Sequence, residues 1–304
     1  MHTNIVYMGT PHYAQAILST LIDAEDMHVS LVLTQPDRPV GRKKVLTPPP
    51  VKSLALEHDI EVLQPNRLSD EGMFEAIKAA KPDFIVVAAF GQILPKNILD
   101  IAPCINLHAS LLPQYRGASP VQQSLLHGDA TSGVTSMMME EGLDTGDILE
   151  KIVFDIPKEM RLHALMGQLT IDACTLTLST LRNFKNIVPE KQDEALATLC
   201  KKIKKADGEV DFTQAETLYN KYRAFEGWPG LFTSNGTKID DVTLLETSST
   251  NKAFEILGFE DDAVLVGCEE GSVKVGSLQP ASKKAMSAKA YCVGRGLKVG
   301  NTIL

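Results

Sequence analysis

Phe84-Ile85-Val86-Val87-Ala88-Ala89 is an unbroken apolar run between Pro82-Asp83 and Phe90-Gly91. A strand with one wet face alternates apolar and polar residues. One with no polar position is covered on both faces, as in parallel sheets layered between helices. The flanking sequence repeats the theme. On the N-terminal side, Ile5 to Met8 is a short apolar strand that ends at Gly9-Thr10-Pro11. Tyr13 to Leu21 carries Ala14, Ile17, Leu18 and Leu21 at i, i+3, i+4 and i+7, the spacing of a helix with one buried stripe. Val29 to Leu33 is a second strand, Pro48 to Pro50 opens onto a helix, Val62 marks a short strand, and Ser69 is placed as the N-cap of a helix running through Ala80. On the C-terminal side, Ile105 to His108 and Val134 to Met139 follow as strands, and Leu162, Leu165, Met166, Leu169, Ala173, Leu176 and Leu181 mark a long amphipathic helix. Strand and helix alternate, which predicts an α/β domain: a Rossmann-like parallel sheet with helices on both sides. Its first strand–helix turn has no GxGxxG, so dinucleotide chemistry is not indicated.

The rhythm changes after about residue 186. Asn186 to Ala206 is polar and lysine-rich with one proline, Pro189, and reads as a linker. A helix from about Ala215 to Phe225 is followed by short runs at Leu231 to Thr233, Phe254 to Leu257, Ala263 to Val266 and Ser272 to Val275, broken by Gly, Asn and Asp. That pattern predicts a small antiparallel, OB-like β-barrel. The expected division is a catalytic domain over 1–187, a basic linker over 188–205 and a β-barrel over 206–304.

Of the 304 residues, 44% are hydrophobic and 22% charged, a globular balance. No run approaches the roughly 20 apolar residues of a bilayer span, and the N-terminus lacks the basic and apolar regions of a signal peptide. Five scattered cysteines without a CxxC pair suit a reducing compartment, so a cytoplasmic protein without membrane association or a zinc site is expected. Net charge is −8, yet basic residues cluster in three islands: Arg42-Lys43-Lys44; Lys201, Lys202, Lys204 and Lys205; and an acid-free stretch, Ala281 to Gly300, holding Lys283, Lys284, Lys289, Arg295 and Lys298. Charge alone allows ordinary solvated surface or a phosphate-binding track.

The chemistry concentrates in Cys104-Ile105-Asn106-Leu107-His108-Ala109-Ser110-Leu111-Leu112-Pro113. Residues two apart on a strand share a face, so Asn106 and His108 point together where the strand ends, the place open α/β sheets keep their sites. An amide beside an imidazole can hydrogen-bond one developing oxyanion. Gly142-Leu143-Asp144-Thr145-Gly146-Asp147 reads as a loop after a strand. Its Asp144 could orient His108 or could simply form an Asx-turn, and composition alone favours the turn. Cys104 lies on the strand before this motif, a poor place for a nucleophile.

Asn106 to Pro113, Tyr115-Arg116-Gly117-Ala118, Gly133-Val134-Thr135 and Leu143-Asp144-Thr145-Gly146-Asp147, in that order, resemble the formyltransferases that use 10-formyltetrahydrofolate. The resemblance implies that Asn106, His108 and Asp144 are the catalytic triad. It further implies that folate is held by Phe90, Gly91, Gln92, Ile93, Leu94 and Pro95, by Ser110, Leu111, Leu112 and Pro113, and by Leu143, Thr145 and Gly146, with no metal. Thr34 to Arg42 resembles the loop with which the methionyl-tRNA branch of that family reads the initiator acceptor stem, and Arg42 matches its basic residue. Ala206 to Asp211 and Arg223 to Gly230 resemble the start of that branch's C-terminal barrel. The implied acceptor is therefore methionyl initiator tRNA, with Arg42, Lys43, Lys44, Lys201, Lys202, Lys204 and Lys205 against its phosphates and a monomeric enzyme. His12-Tyr13, Gln114-Tyr115 and Ser136 depart from the usual pattern without touching the triad. Sugar-nucleotide or glycinamide ribonucleotide formyltransferases would share the triad but would not need the basic islands.

Overall fold

The computed structural model describes residues 2–41 and 43–304, which form two compact units. The first comprises Met1–Pro120, Thr131–Asp155 and Met166–Cys200. Its seven-stranded sheet runs in the order Ile148–Asp155, Thr131–Met138, Cys104–His108, Phe84–Ala88, Thr3–Gly9, Met27–Leu33, Val62–Leu63. In this sheet Thr131–Met138 alone runs against the others.

Phe84–Ala88 is buried from Ile85 onward, as a strand with no polar position must be. Alternate residues sort to the two faces. Val6, Met8, Leu31, Leu33, Ile85 and Val87 pack on one side with Phe90, Leu94 and Ile98. Ile5, Tyr7, Val32 and Val86 take the other and are equally buried, as are Ala14, Ile17, Leu18 and Leu21 on the helix His12–Asp23. Each such Val, Leu or Ile contributes about 1.5–3 kcal/mol. The buried Tyr7 hydroxyl donates to the Ala14 carbonyl at 2.6 Å, so no polar group is stranded there. The long helix Leu162–Asn183 buries Leu169, Ala173, Leu176 and Leu181, the stripe its spacing predicts.

Ser69 is not a helix cap. The helix is Met73–Ala79, with Gly72 at its N-cap. Asp70 is the cause: its Oδ2 accepts from Arg67 N–H at 2.9 Å and its own N–H donates to the Arg67 carbonyl at 3.0 Å, closing a turn first. The stretch after the long helix is likewise tied down. Glu190 exchanges two backbone hydrogen bonds with Ile148, and Leu199–Cys200 pairs in parallel with Arg116–Gly117.

The second unit comprises Val121–Ala130, Ile156–Leu165 and Lys201–Leu304. Its six-stranded sheet is antiparallel throughout, in the order Leu231–Phe232, Lys238–Glu246, Ser272–Gln279, Ala263–Gly267, Ile256–Glu260, with Met286–Ser287 added against Ser272–Gln279. Val264, Val266, Val273, Val275, Ile239 and Val242 are buried on it. Leu218 and Ala224 of the helix Ala215–Ala224 are buried too, and Phe212 and Phe254 stack with centroids 4.4 Å apart. Lys238–Glu246 is the strand the sequence hides, since Asp240-Asp241 interrupts its apolar alternation and Asp241 sits at φ +55°. Among the described residues no helix is long and apolar enough to cross a membrane.

Candidate active site

Cys104–His108 is buried along its whole length, so its polar side chains must find partners within the protein. Asn106 and His108, two apart, lie on one face as expected and meet the same group, the carboxylate of Asp144. Asn106 Nδ2 is 3.5 Å from Asp144 Oδ1, and His108 Nδ1 is 3.7 Å from Asp144 Oδ2. The route Asp144 takes follows from strand direction. His108 pairs with Thr135 and Ile105 with Met138, so Thr131–Met138 exits beside the start of Cys104–His108. Met139 N–H donates to the Cys104 carbonyl there at 2.8 Å. The loop then doubles back to bring Asp144 to Asn106 and His108 before Ile148–Asp155 begins.

Both side-chain contacts are long for hydrogen bonds. The short bond to this carboxylate comes from the backbone: Gly117 N–H donates to Asp144 Oδ2 at 2.8 Å. His108 is fixed from its other side, Nε2 lying 2.9 Å from the Tyr115 carbonyl. A carbonyl only accepts, so Nε2 carries the proton and Nδ1 is the ring nitrogen left to face Asp144 and any substrate. The three side chains therefore stand together without being spent on one another. A loosely held amide donor and an imidazole beside a carboxylate suit acyl transfer, in which Asn106, and His108 once Nδ1 also carries a proton, would tighten on a developing oxyanion.

In sequence, Tyr115 to Ala118 stand out as a motif but with no part in fixing the site, and Gln192 does not stand out at all. Tyr115 and Gly117 act through backbone atoms. Asp144 itself sits in the left-handed region at φ +54°, a conformation that costs of order 1 kcal/mol outside glycine and persists only where neighbours hold it. The Gln192 side-chain amide is one holder, donating to the Asp144 and Gly146 carbonyls at 2.8 Å each.

The segments expected to hold folate divide by exposure. Phe90, Leu94 and Leu112 are 1–2% exposed and belong to the packed interior. Ile93 at 70% and Leu143 at 54% offer large apolar side chains to a ligand. Gly91 is exposed, and Pro95, Leu111, Pro113 and Thr145 are half-buried. Gln92 is occupied, accepting from Leu68 N–H and donating to the Pro65 carbonyl. Ser110 to Pro113 is pinned as a rigid turn: Thr135 Oγ1 donates to the Ser110 carbonyl and accepts from Leu112 N–H, and Lys151 Nζ donates to the Leu112 carbonyl. Thr145 Oγ1 donates to Glu140, and Gly146 is buried.

Neither cysteine near the site is built as a nucleophile. Burial among apolar neighbours pushes the Cys104 thiol up to about 12. Cys200 is raised by burial and further by the Asp144 charge, and its Sγ lies between Ser119 N–H and the Tyr115 carbonyl. Among the described residues no three His, Cys, Asp or Glu side chains gather as metal ligands.

Arg42 lies outside the described residues. Lys43 and Lys44 stand exposed at the turn of the hairpin Arg38–Val40/Val45–Thr47. Asp37 fastens its base, accepting from Gln64 Nε2 at 2.8 Å and from Lys52 Nζ at 2.9 Å. In the second unit Lys201, Lys202 and Lys204 line one open cavity of about 390 Å³ together with Lys221 and Phe225. Lys205 Nζ lies 5.1 Å from the centre of the Phe232 ring.

Comparison with known proteins agrees with this geometry. A formyl transferase family model matches residues 3–173, and a model for the C-terminal domain of formyl transferases matches residues 202–296. A methionyl-tRNA formyltransferase of Sulfurovum sp. (strain NBC37-1) is 73% identical over 304 residues, covering 100% of both chains. Among solved structures, an N-formyltransferase from Helicobacter canadensis with folinic acid and dTDP-3-aminofucose has a TM-score of 0.68 at 19% identity, covering 90% of this chain and 98% of that one. HypX from Aquifex aeolicus with tetrahydrofolic acid has a TM-score of 0.63 at 19% identity, covering 98% of this chain and 48% of that one. These structural likenesses speak for the fold. With both family models matching in order and a relative this similar along its full length, the chain belongs to the formyl transferase family, in its methionyl-tRNA formyltransferase branch.

Proposed function

We propose that the chain transfers the formyl group of 10-formyltetrahydrofolate to the α-amino group of methionyl initiator tRNA, as a monomer in the cytoplasm. The observation that carries the chemistry is the meeting of Asn106 and His108 at one carboxylate, 3.5 and 3.7 Å away. The free amine attacks the formyl carbon, a C–N bond forms and the carbonyl electrons move onto oxygen. Asn106 Nδ2–H and His108 Nδ1–H donate to that oxygen, the latter when the ring carries both protons. Each such donor contributes about 3–4 kcal/mol to the barrier reduction. Asp144 draws the proton from the attacking amine, directly or through a water. The oxyanion then collapses, the bond to N10 breaks, and N10 takes up the proton that Asp144 drew from the amine, leaving as tetrahydrofolate and returning Asp144 to the carboxylate. No protein–substrate covalent bond is formed.

The folate lies against Phe90 to Pro95, Ser110 to Pro113 and the Leu143-Thr145-Gly146 loop. Ile93 and Leu143 supply its apolar contact, while the buried members keep those backbones rigid. Lys43 and Lys44 reach the acceptor stem from the hairpin, Arg42 contacts the same stem, and Lys201, Lys202, Lys204 and Lys205 neutralise tRNA phosphates. The functional parts are then the catalytic domain 1–187, the joining segment 188–205, of which 190–200 is bonded to the catalytic domain, and the β domain 206–304. Full-length identity to a methionyl-tRNA formyltransferase supports this acceptor.

The test is formyl transfer from 10-formyltetrahydrofolate to methionyl initiator tRNA, methionyl elongator tRNA and a UDP-amino-sugar, side by side. Strong preference for the initiator supports the proposal. Activity on the sugar alone, or formate release alone, discards the tRNA assignment and keeps the triad.

A further inference from the structure

Gln192 lies in the segment between the long helix and the second unit, far in sequence from either catalytic motif, yet three of the four hydrogen-bonding positions of its side chain, both donors among them, are used at the site. Its Nε2 donates at 2.8 Å to the Asp144 carbonyl and at 2.8 Å to the Gly146 carbonyl. Its Oε1 accepts from Arg116 Nε at 3.0 Å. Carbonyls only accept and a guanidinium only donates, so chemistry fixes which way this amide points. Arg116 is itself anchored. It is 4% exposed, and its two terminal nitrogens make a bidentate pair with Glu194 at 3.0 and 2.8 Å. The guanidinium holds the Glu194 carboxyl below its ordinary value, so the pair is charged near neutrality.

We infer that Gln192 is a positioning residue for the transfer reaction, clamping the Asp144–Gly146 backbone so that the Asp144 carboxylate faces Asn106 and His108. The inference rests on the proposed role of Asp144. That residue needs such support, because it sits at φ +54° and, among the described residues, its carboxylate accepts one short bond, from Gly117 N–H. Gly117 follows Arg116, so the Arg116–Glu194 pair steadies both ends of the arrangement: through Gln192 it holds the Asp144 backbone, and through its own strand it holds the N–H on the Asp144 carboxylate. The same segment serves His108. Thr198 Oγ1 accepts from Tyr115 N–H at 2.8 Å, and the Tyr115 carbonyl is the one that fixes the imidazole. Residues 190–200 thus form a strap that ends at Cys200, immediately before the Lys201–Lys205 island.

The experiment is a double-mutant cycle on the full-length protein with 10-formyltetrahydrofolate and methionyl initiator tRNA, using Gln192→Met, Asp144→Asn and the pair. Methionine keeps the length of glutamine and loses its hydrogen bonds. The expected result for Gln192→Met is a fall in kcat of about 10²-fold, the scale of a catalytic group displaced by about 1 Å, with KM for either substrate changed less than about threefold. Added to Asp144→Asn, it should cost less than about threefold more, because both changes act through one group. A general structural weakening would multiply instead. Wild-type kcat in Gln192→Met, an effect on KM alone, or full multiplication in the double variant overturns the inference and leaves Asp144 standing. Wild-type turnover by Asp144→Asn overturns the role of Asp144 and the inference with it. If Gln192→Met does not fold, Glu194→Gln carries the test, since that carboxylate is 73% exposed and only its grip on Arg116 is lost. A kcat loss of about twofold to fivefold that disappears in the Asp144→Asn background supports the clamp, and wild-type kcat overturns it.

Discussion

Gly117→Ala probes the backbone contact on which the site depends. Gly117 sits at φ +115°, and a Cβ placed on it would run into the Cys200 carbonyl oxygen. Holding alanine at that φ costs about 1–3 kcal/mol, and forcing a methyl group into packed backbone costs about as much again. A loss of about 2–6 kcal/mol at roughly 2–4 °C per kcal/mol is a fall in Tm of about 4–24 °C. The chain can relieve part of the clash by separating Leu199–Cys200 from Arg116–Gly117. That movement carries the Gly117 N–H away from Asp144 Oδ2, the 2.8 Å bond that fixes the carboxylate. A displacement of about 1 Å there lowers kcat about 10²-fold. Single-turnover formyl transfer at saturating donor, on protein shown to be folded at the assay temperature, reads this directly. A Gly117→Ala protein that is destabilised yet transfers formyl at the wild-type rate would refute the reasoning, because Asp144 would then not depend on this N–H.

Two other outcomes follow. Arg42→Leu weakens use of the initiator and reduces the salt slope of tRNA binding by about one unit, with donor binding intact; normal formylation of charged initiator would remove Arg42 from the acceptor contact. Acidification destabilises the protein through carboxylates whose folded values lie below their unfolded ones: Asp26 beside the Arg182 guanidinium, Asp37 beside the Gln64 amide and Lys52 ammonium, and Glu194 beside Arg116. Their contribution is complete above the unfolded value of about 4 and is lost as pH falls through the lowered folded values. The urea midpoint should therefore hold between pH 7 and 5 and fall below about 4; a midpoint unchanged down to pH 3 would contradict this.

What the sequence made legible is what periodicity and side-chain identity encode. The apolar run at Phe84, the helix stripe from Ala14 to Leu21, and the shared face of Asn106 and His108 all depend on near neighbours. Three features were out of reach for reasons that can be named. The antiparallel direction of Thr131–Met138 leaves no mark on its own residues, although it decides the path by which Asp144 arrives. Lys238–Glu246 carries Asp240-Asp241 through its middle and breaks the alternation that announces a strand. The holders of the site act through backbone atoms, as at Tyr115 and Gly117, or across 48 residues, as from Gln192 to Asp144. A polar, lysine-rich composition says linker, whereas residues 190–200 are bonded to the site at several points.

If Asn106, His108 and Asp144 carry the transfer, removing one of them should stop the chemistry and spare the binding of folate. The most direct measurement is the single-turnover rate of formyl transfer to methionyl initiator tRNA by His108→Ala, taken with the equilibrium Kd for the folate donor. The expected rate is lower by about 10²–10³-fold, the loss of one oxyanion donor, with the Kd unchanged within about threefold. A variant that binds donor and transfers formyl at the wild-type rate would contradict it.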